Sequence, residues 1–395
     1  MELFKRAERV HLKAKGKIEV RPKLRVRNAS DLSDVYGLGV ATVCKEISKV
    51  RKKVFDYTLK QNTVCVVGDG SSIFGLGNVG AYAAIPFLEG KCMLFKELAD
   101  VNAFPISVDA QDDAYIIQTI MSISPAFGAV CIEGVETPKC FFIERALSGL
   151  GIPVVNGKST GTAIVVLAAL INSAESIGKK IDDMRIVVNG GGSAGLGIAY
   201  LLANYQKLGK GFKPIKEVLV LDKNGLLFEG RSEMDEFKAE IAKITNHNRL
   251  MGNVAAAMIG ADAFVSVSSG NIISPIMIKS MSDKPIIFTL SVPELAIDPE
   301  AAKNAGASVI ATSSADFPNQ ISDVLAFPGL FKGALEAGAT TINVEMKLAA
   351  AKALADYIKK PTRNRVIPTV LDKLATLKIA AAVKKAAVDT KVVRK

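Results

Sequence analysis

Short unbroken apolar runs alternate along the chain with longer stretches whose apolar residues recur at helical spacing. Val64–Val67, Cys92–Phe95, Pro105–Val108, Ala129–Ile132 and Pro153–Val155 have strand character, and helices are predicted at Gly80–Glu89, Asp112–Ser122 and Lys139–Leu150. Runs buried on both faces and separated by helices predict a covered, largely parallel sheet. The pattern repeats through Arg185–Asn189, Val218–Leu221, Ala263–Val267, Pro285–Leu290 and Ser308–Ala311, with a long apolar helix starting near Gly161 between the two halves. From about Glu345 the chain reads as Ala-rich helices broken at Lys360-Pro361. The predicted fold is α/β: a first α/β domain over residues 1–160, a Rossmann-like doubly wound domain over 161–345, and a C-terminal helical extension over 346–395.

Composition supports this reading, since 395 residues with 49% hydrophobic side chains can bury a large core and favour two domains. Gly161–Asn172 is the nearest approach to a membrane span and is too short, so no membrane partner is expected. The opening residues lack the apolar core of a signal peptide, which makes a cytoplasmic location the expectation. Cys44, Cys65, Cys92, Cys131 and Cys140 are scattered without a C-x-x-C pair and read as free thiols. His11 and His247 are far apart and sit in no metal or triad pattern. The net charge of +11 is concentrated at the ends, +7 in residues 1–30 and +9 in 359–395, leaving −5 between them. No stacking aromatics or nucleic-acid motif accompany those arms, so nucleic acid is not an expected partner.

The strongest local motif follows the run Arg185–Asn189. Gly190-Gly-Gly192-Ser193-Ala194-Gly195 is a G-x-G-x-x-G turn between a predicted strand and the predicted helix Leu196–Lys207. Such glycines permit a tight turn, close approach of backbone to a pyrophosphate and packing of helix on sheet, with the helix N-terminus facing the phosphates. The next run, Val218–Leu221, ends in Asp222, placed to accept the ribose hydroxyls of NAD; Lys223 beside it could meet the 2′-phosphate of NADP. NAD is the expected cofactor, because a carboxylate at Asp222 repels a 2′-phosphate. Asp69 in Gly68-Asp-Gly70 reads as a turn or cap residue.

Ordered blocks along the whole chain carry a family resemblance. Gly75-Leu-Gly-Asn-Val-Gly80, Glu89-Gly-Lys91, Leu94-Phe-Lys96, Ala103-Phe-Pro105, Gly161–Leu170, Val187-Val-Asn-Gly190 and Leu325-Ala-Phe-Pro-Gly329 resemble blocks of the compact bacterial and archaeal malic enzymes. The resemblance implies oxidative decarboxylation of malate to pyruvate with NAD(P) and Mg²⁺ or Mn²⁺, and a homodimer. The chemistry needs a base and an acid, and a divalent ion to polarise the carbonyl formed at C2. By position in the matched blocks, the family's tyrosine corresponds to Tyr36 and its lysine to Lys96.

The metal and substrate positions depart from that pattern. Glu133 is the one family ligand retained, Gly134 stands where the adjoining aspartate is expected, and Asn156-Gly-Lys158-Ser-Thr-Gly-Thr162 replaces a His-Asp-Asp-Gln-His-Gly-Thr segment. Lys158 thus takes the place of a ligand. On the substrate side Val292 and Asp323 stand at asparagine positions, and Asn102 replaces an aspartate. A lysine ammonium beside a dication is repelled on the order of 8 kcal/mol at ~4 Å. The metal is therefore not expected to be bound, and Lys158 is expected to form an internal salt bridge with Glu133 and Asp323. Three readings stay open: an ordinary malic enzyme with unusual ligands, a non-catalytic nucleotide-binding or regulatory member, and a metal-independent dehydrogenase with a changed substrate using Tyr36 and Lys96.

Overall fold

The computed structural model describes residues 2–73, 75–110, 112–268, 270–291 and 293–394. Among the described residues ten strands form two sheets, nine of them on predicted apolar runs and one, the two-residue Gly225–Leu226, on none. The first sheet contains β1 (Thr63–Gly68), β2 (Asn102–Ser107), β3 (Ala129–Ile132) and β4 (Val154–Asn156), ordered β2-β1-β3-β4 with every pair parallel. The second contains β5 (Arg185–Asn189), β6 (Glu217–Asp222), β7 (Gly225–Leu226), β8 (Ala263–Ser266), β9 (Ile286–Thr289) and β10 (Val309–Thr312). Its order is β10-β9-β8-β5-β6-β7, and only the short hairpin strand β7 runs antiparallel. Read from β7, this is the 3-2-1-4-5-6 order of the doubly wound fold, with its switch point between β5 and β8, where ligands bind beyond the carboxyl ends of the strands.

One predicted strand is a helix. Cys92–Phe95 lies inside the helix Gly80–Ala99, whose buried Ala84, Leu88, Cys92, Phe95 and Ala99 fall at spacings of three and four. An apolar run of four residues fits both periods, and the longer register decides for the helix. Phe95 is fully buried, with its ring edge-on to Phe327 at 4.8 Å and Phe331 at 5.2 Å. Truncating such a side chain to alanine costs about 3–5 kcal/mol.

The apolar helix expected near Gly161 spans Gly157–Ser176, capped by the Asn156 side chain accepting from Ser159 N–H. It is buried along almost its whole length, which is why it shows no polar stripe. The helices Phe327–Ala337, Val344–Tyr357 and Lys373–Asp389 fold back: the first covers helix Gly80–Ala99, and the second packs on Gly157–Ser176. A single hydrophobic cluster accordingly runs from Val64 of the first sheet through Val166 to Val188 of the second and on to Ile379. At the other end of the chain, helices Ala29–Val35 and Leu38–Lys49 bury none of their residues.

Candidate dinucleotide and reaction site

The glycine turn lies at the switch point, between the ends of β5 and β8. Each glycine has its own steric reason. Gly190 has φ +139°, and a Cβ there would meet Val267 Cγ2 at 2.9 Å. A Cβ on Gly195 would fall 1.8 Å from the Gly190 carbonyl oxygen, so the helix Ser193–Ala203 can leave the turn only from a glycine. Gly192 faces open space with no atom within 4 Å, the side from which a pyrophosphate would approach. Ser193 and Ala194 open the helix beside a cavity of about 180 Å³ that is also lined by Thr137, Asn156 and Lys158. The first domain reaches into this turn: Ser193 N–H donates to Thr137 Oγ1 at 3.0 Å, and Asn156 Nδ2 donates to Ser193 Oγ at 3.0 Å.

Asp222 ends β6 as expected, yet its carboxylate is not free for a ribose. Arg231 grips both oxygens, Nη1–Oδ1 at 2.8 Å and Nη2–Oδ2 at 2.6 Å; Asn224 N–H donates to Oδ1 at 2.9 Å, and Lys238 Nζ lies 3.1 Å from Oδ2. Burial alone would raise this carboxyl, but those donors hold it down at about 2. Arg231 and Lys238 offset the charge of Asp222, and Asp235, 3.7 Å from Lys238, balances the second cation, so the expected repulsion of a 2′-phosphate is weakened. Lys223 is exposed. Sequence reasoning missed Arg231, because the hairpin through β7 is what brings it back onto Asp222.

The expected Lys158 bridge is not formed; another lysine occupies its place. Lys158 is exposed and makes no ion pair with Glu133 or Asp323 among the described residues. Instead Lys91 Nζ lies 2.7 Å from Glu133 Oε2 and 2.7 Å from Asp323 Oδ2, with Lys91 and Glu133 almost fully buried. The ammonium also sits over the Phe327 ring, 4.1 Å from its centroid. Burial alone would lower the Lys91 pKa, but Asp323 and Glu133 raise it above that of an ordinary lysine, so it is charged at neutral pH. Burial pushes the Glu133 carboxyl up, opposed by Lys91. Glycine makes the room: a Cβ on Gly157 would lie 2.6 Å from Glu133 Oε2, and one on Gly161 would lie 2.8 Å from Asp323 Cβ.

These residues do not fit a hard divalent ion, which takes several oxygen ligands. Among the described residues no three His, Cys, Asp or Glu side chains converge into a metal-holding group. The retained Glu133 spends an oxygen on the ammonium, and Gly134 offers no side chain. Glu136 turns outward to Lys139, at 3.5 Å.

The other expected site residues are dispersed. Lys96 is on the surface, paired with Asp100 and donating to Asn102 Oδ1 at 3.2 Å, so the lysine of the buried centre is Lys91, five positions earlier. Tyr36 is exposed on the N-terminal arm and lines neither the 180 Å³ cavity nor the ion cluster. Val292 lies outside the described residues. Asp69 is the turn residue expected, accepting from Ser71 N–H at 2.9 Å, and it also pairs with Lys139 at 2.8 Å. Of the cysteines, Cys44 is exposed and the other four are buried, all free.

Comparison with known proteins places this architecture. Residues 15–148 match the malic enzyme N-terminal domain and residues 160–388 the malic enzyme NAD binding domain. The chain is 42% identical to the bifunctional malic/malolactic enzyme of Bacillus subtilis, covering 100% of this chain and 95% of that protein. It is 41% identical to the NAD-dependent malic enzyme of Geobacillus stearothermophilus, covering 96% and 78%. The crystal structure of the NAD-dependent malic enzyme of Thermotoga maritima superposes with a TM-score of 0.90 at 42% identity, over 96% of this chain and 98% of that one. The malic enzyme of Pyrococcus horikoshii gives 0.91 at 36% identity, over 98% and 92%. Two largely parallel sheets, a glycine turn at the switch point of the second, and full-length likeness to these proteins together establish that the chain belongs to the malic enzyme family.

Proposed function

We propose that this protein binds a nicotinamide dinucleotide at the Gly190–Gly195 turn but does not carry out metal-assisted decarboxylation of malate, and acts as a nucleotide-binding or regulatory member of its family. The observation that carries this reading is the Lys91 ammonium held at 2.7 Å from both Glu133 and Asp323, where a divalent ion would need free carboxylates. Removing a charge from such a centre is costly, so the ammonium is a fixture and not a guest. The position of Lys96 on the surface, paired with Asp100 away from the glycine turn, points the same way, because proton transfer needs its groups within hydrogen-bond reach of the substrate. Of the relatives named above, the Geobacillus stearothermophilus protein is an NAD-dependent malic enzyme by its name. For this chain NAD and NADP are both admitted, since Arg231 and Lys238 neutralise Asp222. The reading includes a cytoplasmic location and a homodimer formed through the arm that exposes Leu24, Leu32, Tyr36 and Leu38.

The test pairs two measurements on the same full-length preparation. Calorimetry with NAD and NADP is expected to show binding, and absorbance of the reduced nicotinamide is expected to show no malate-dependent production with Mn²⁺ present. Turnover with Mn²⁺ would return the protein to ordinary malic enzyme activity. A preparation that binds neither dinucleotide would remove the nucleotide-binding reading.

A further inference from the structure

Lined by Leu196, Gly197, Tyr200 and Leu201 of the helix that starts at the glycine turn is a larger cavity of about 610 Å³ that the dinucleotide reading does not use. Its size is that of a small-molecule site, roughly 300–1,000 Å³. The walls are mostly apolar, built from Phe141, Leu196, Tyr200, Phe237, Ile241 and Ile342. They come from both domains and from the segment entering helix Val344–Tyr357. Arg145 spans the two domains at this cavity, stacking on the Phe237 ring at 4.3 Å and pairing with Glu236 at 3.1 Å and Glu240 at 2.8 Å.

Of the charged groups in the wall, Arg145 and Glu240 pair with each other and Lys243 is exposed, while Glu144 and Lys347 face the space from its more buried part without pairing with each other. Glu144 is half-buried in the wall, and no cation approaches its carboxylate to ion-pair distance among the described residues. Burial raises the Glu144 carboxyl, opposed by the charge of Lys347 and by the Asn156 N–H. Lys347, also in the wall, is near enough to be felt by Glu144 but makes no ion pair. Two such groups bordering one apolar space are a matched recognition pair, since an ionised hydrogen-bond partner adds more than a neutral one. A cation alone would leave Lys347 unpaired, and an anion alone would leave Glu144.

We infer that this cavity binds an amphipathic zwitterion, an amino acid with a large apolar side chain, its ammonium on Glu144 and its carboxylate on Lys347. The ligand sits against Leu196, Gly197, Tyr200 and Leu201 of the helix whose first turn is Ser193-Ala194-Gly195. It also touches Ser159 and Thr160, one turn beyond the Asn156 that bonds Ser193. Occupancy therefore bears on the phosphate turn through rigid helices, and by linkage the dinucleotide alters the affinity for the zwitterion by the same factor.

The chain contains no tryptophan, which makes an indole ligand readable by its own fluorescence. Anisotropy titrations of the full-length protein would use L-tryptophan, tryptamine and indole-3-propionate, which share one apolar body and differ in charge. L-Tryptophan is expected to bind about tenfold or more tighter than either singly charged analogue, as loss of one charge-assisted hydrogen bond implies. E144Q and K347M are each expected to weaken it about tenfold, and A163F, which fills the cavity, to abolish it. If A163F does not fold, the two charge variants still decide. No binding of L-tryptophan, equal binding of all three probes, or binding unaffected by E144Q and K347M would overturn the inference. So would displacement by NAD in a one-for-one competition that the charge variants leave unchanged, because the indole would then occupy the dinucleotide cleft.

Discussion

Lys91 and Asp323 meet at 2.7 Å across a separation of 232 residues, joining the helix Gly80–Ala99 of the first domain to the segment that follows the second sheet. The pair closes the centre with charge instead of metal. Lys91→Met leaves Glu133 and Asp323 as two carboxylates without their cation, and is expected to cost about 3–5 kcal/mol in chemical denaturation. Asp323→Asn leaves Lys91 its Glu133 partner and is expected to cost less, about 1–3 kcal/mol. Equal losses in the two variants would mean that Glu133 does not hold the ammonium by itself.

Two glycines of the same turn should separate folding from binding. Gly195→Ala places a methyl 1.8 Å from the Gly190 oxygen, so a loss of stability of about 2 kcal/mol or more is expected together with loss of dinucleotide binding. Gly192→Ala adds its methyl to open space at φ −96°, where any residue is allowed. Its melting temperature should stay within a few degrees of wild type while NAD affinity falls at least about tenfold, because only the approach of the pyrophosphate is obstructed.

Acid sensitivity should be traceable to Asp222. Its folded pKa, about 2, lies below the ordinary carboxyl value, so its stabilisation is complete above about pH 4 and is lost as the pH falls towards 2. The shift amounts to about 2 kcal/mol. An Asp222→Asn variant should be less stable at neutral pH and should show a flatter stability curve between pH values of about 4 and 2. A curve parallel to wild type would show that the carboxylate carries no such linkage.

Cofactor choice follows from the same cluster. Lys238→Ala removes a cation that stands 3.1 Å from Asp222 and is expected to weaken NADP about tenfold while changing NAD little. Calorimetric titrations with both dinucleotides decide it; an equal effect on the two would place the lysine away from the 2′-phosphate.

How far the sequence could be read depended on the range of the forces involved. Arg185–Asn189 was recognisable with its ends because strand, turn and glycines are a local code. The centre was readable as chemistry but not as geometry. Glu133, Asp323 and a lysine do meet, but the lysine is Lys91. Reading Cys92–Phe95 as a strand hid the clue, for on the helix Lys91 falls three residues after Leu88 and four before Phe95, on the buried face. Lys96, one step beyond Phe95, points to solvent. The grip of Arg231 on Asp222 depended on a two-residue strand that no apolar pattern announces.

The embrace of the first domain by the C-terminal helices sets a timetable for synthesis. Lys91 and Phe95 emerge from the ribosome long before their partners Asp323, Phe327 and Phe331. During that interval a lysine destined for burial has one carboxylate instead of two, and Phe95 lacks the two rings that later pack edge-on against it. The helix Gly80–Ala99 therefore completes its packing only once the last helices arrive, and a ribosome stalled near residue 320 would display an N-terminal domain with an apolar face for chaperones to hold.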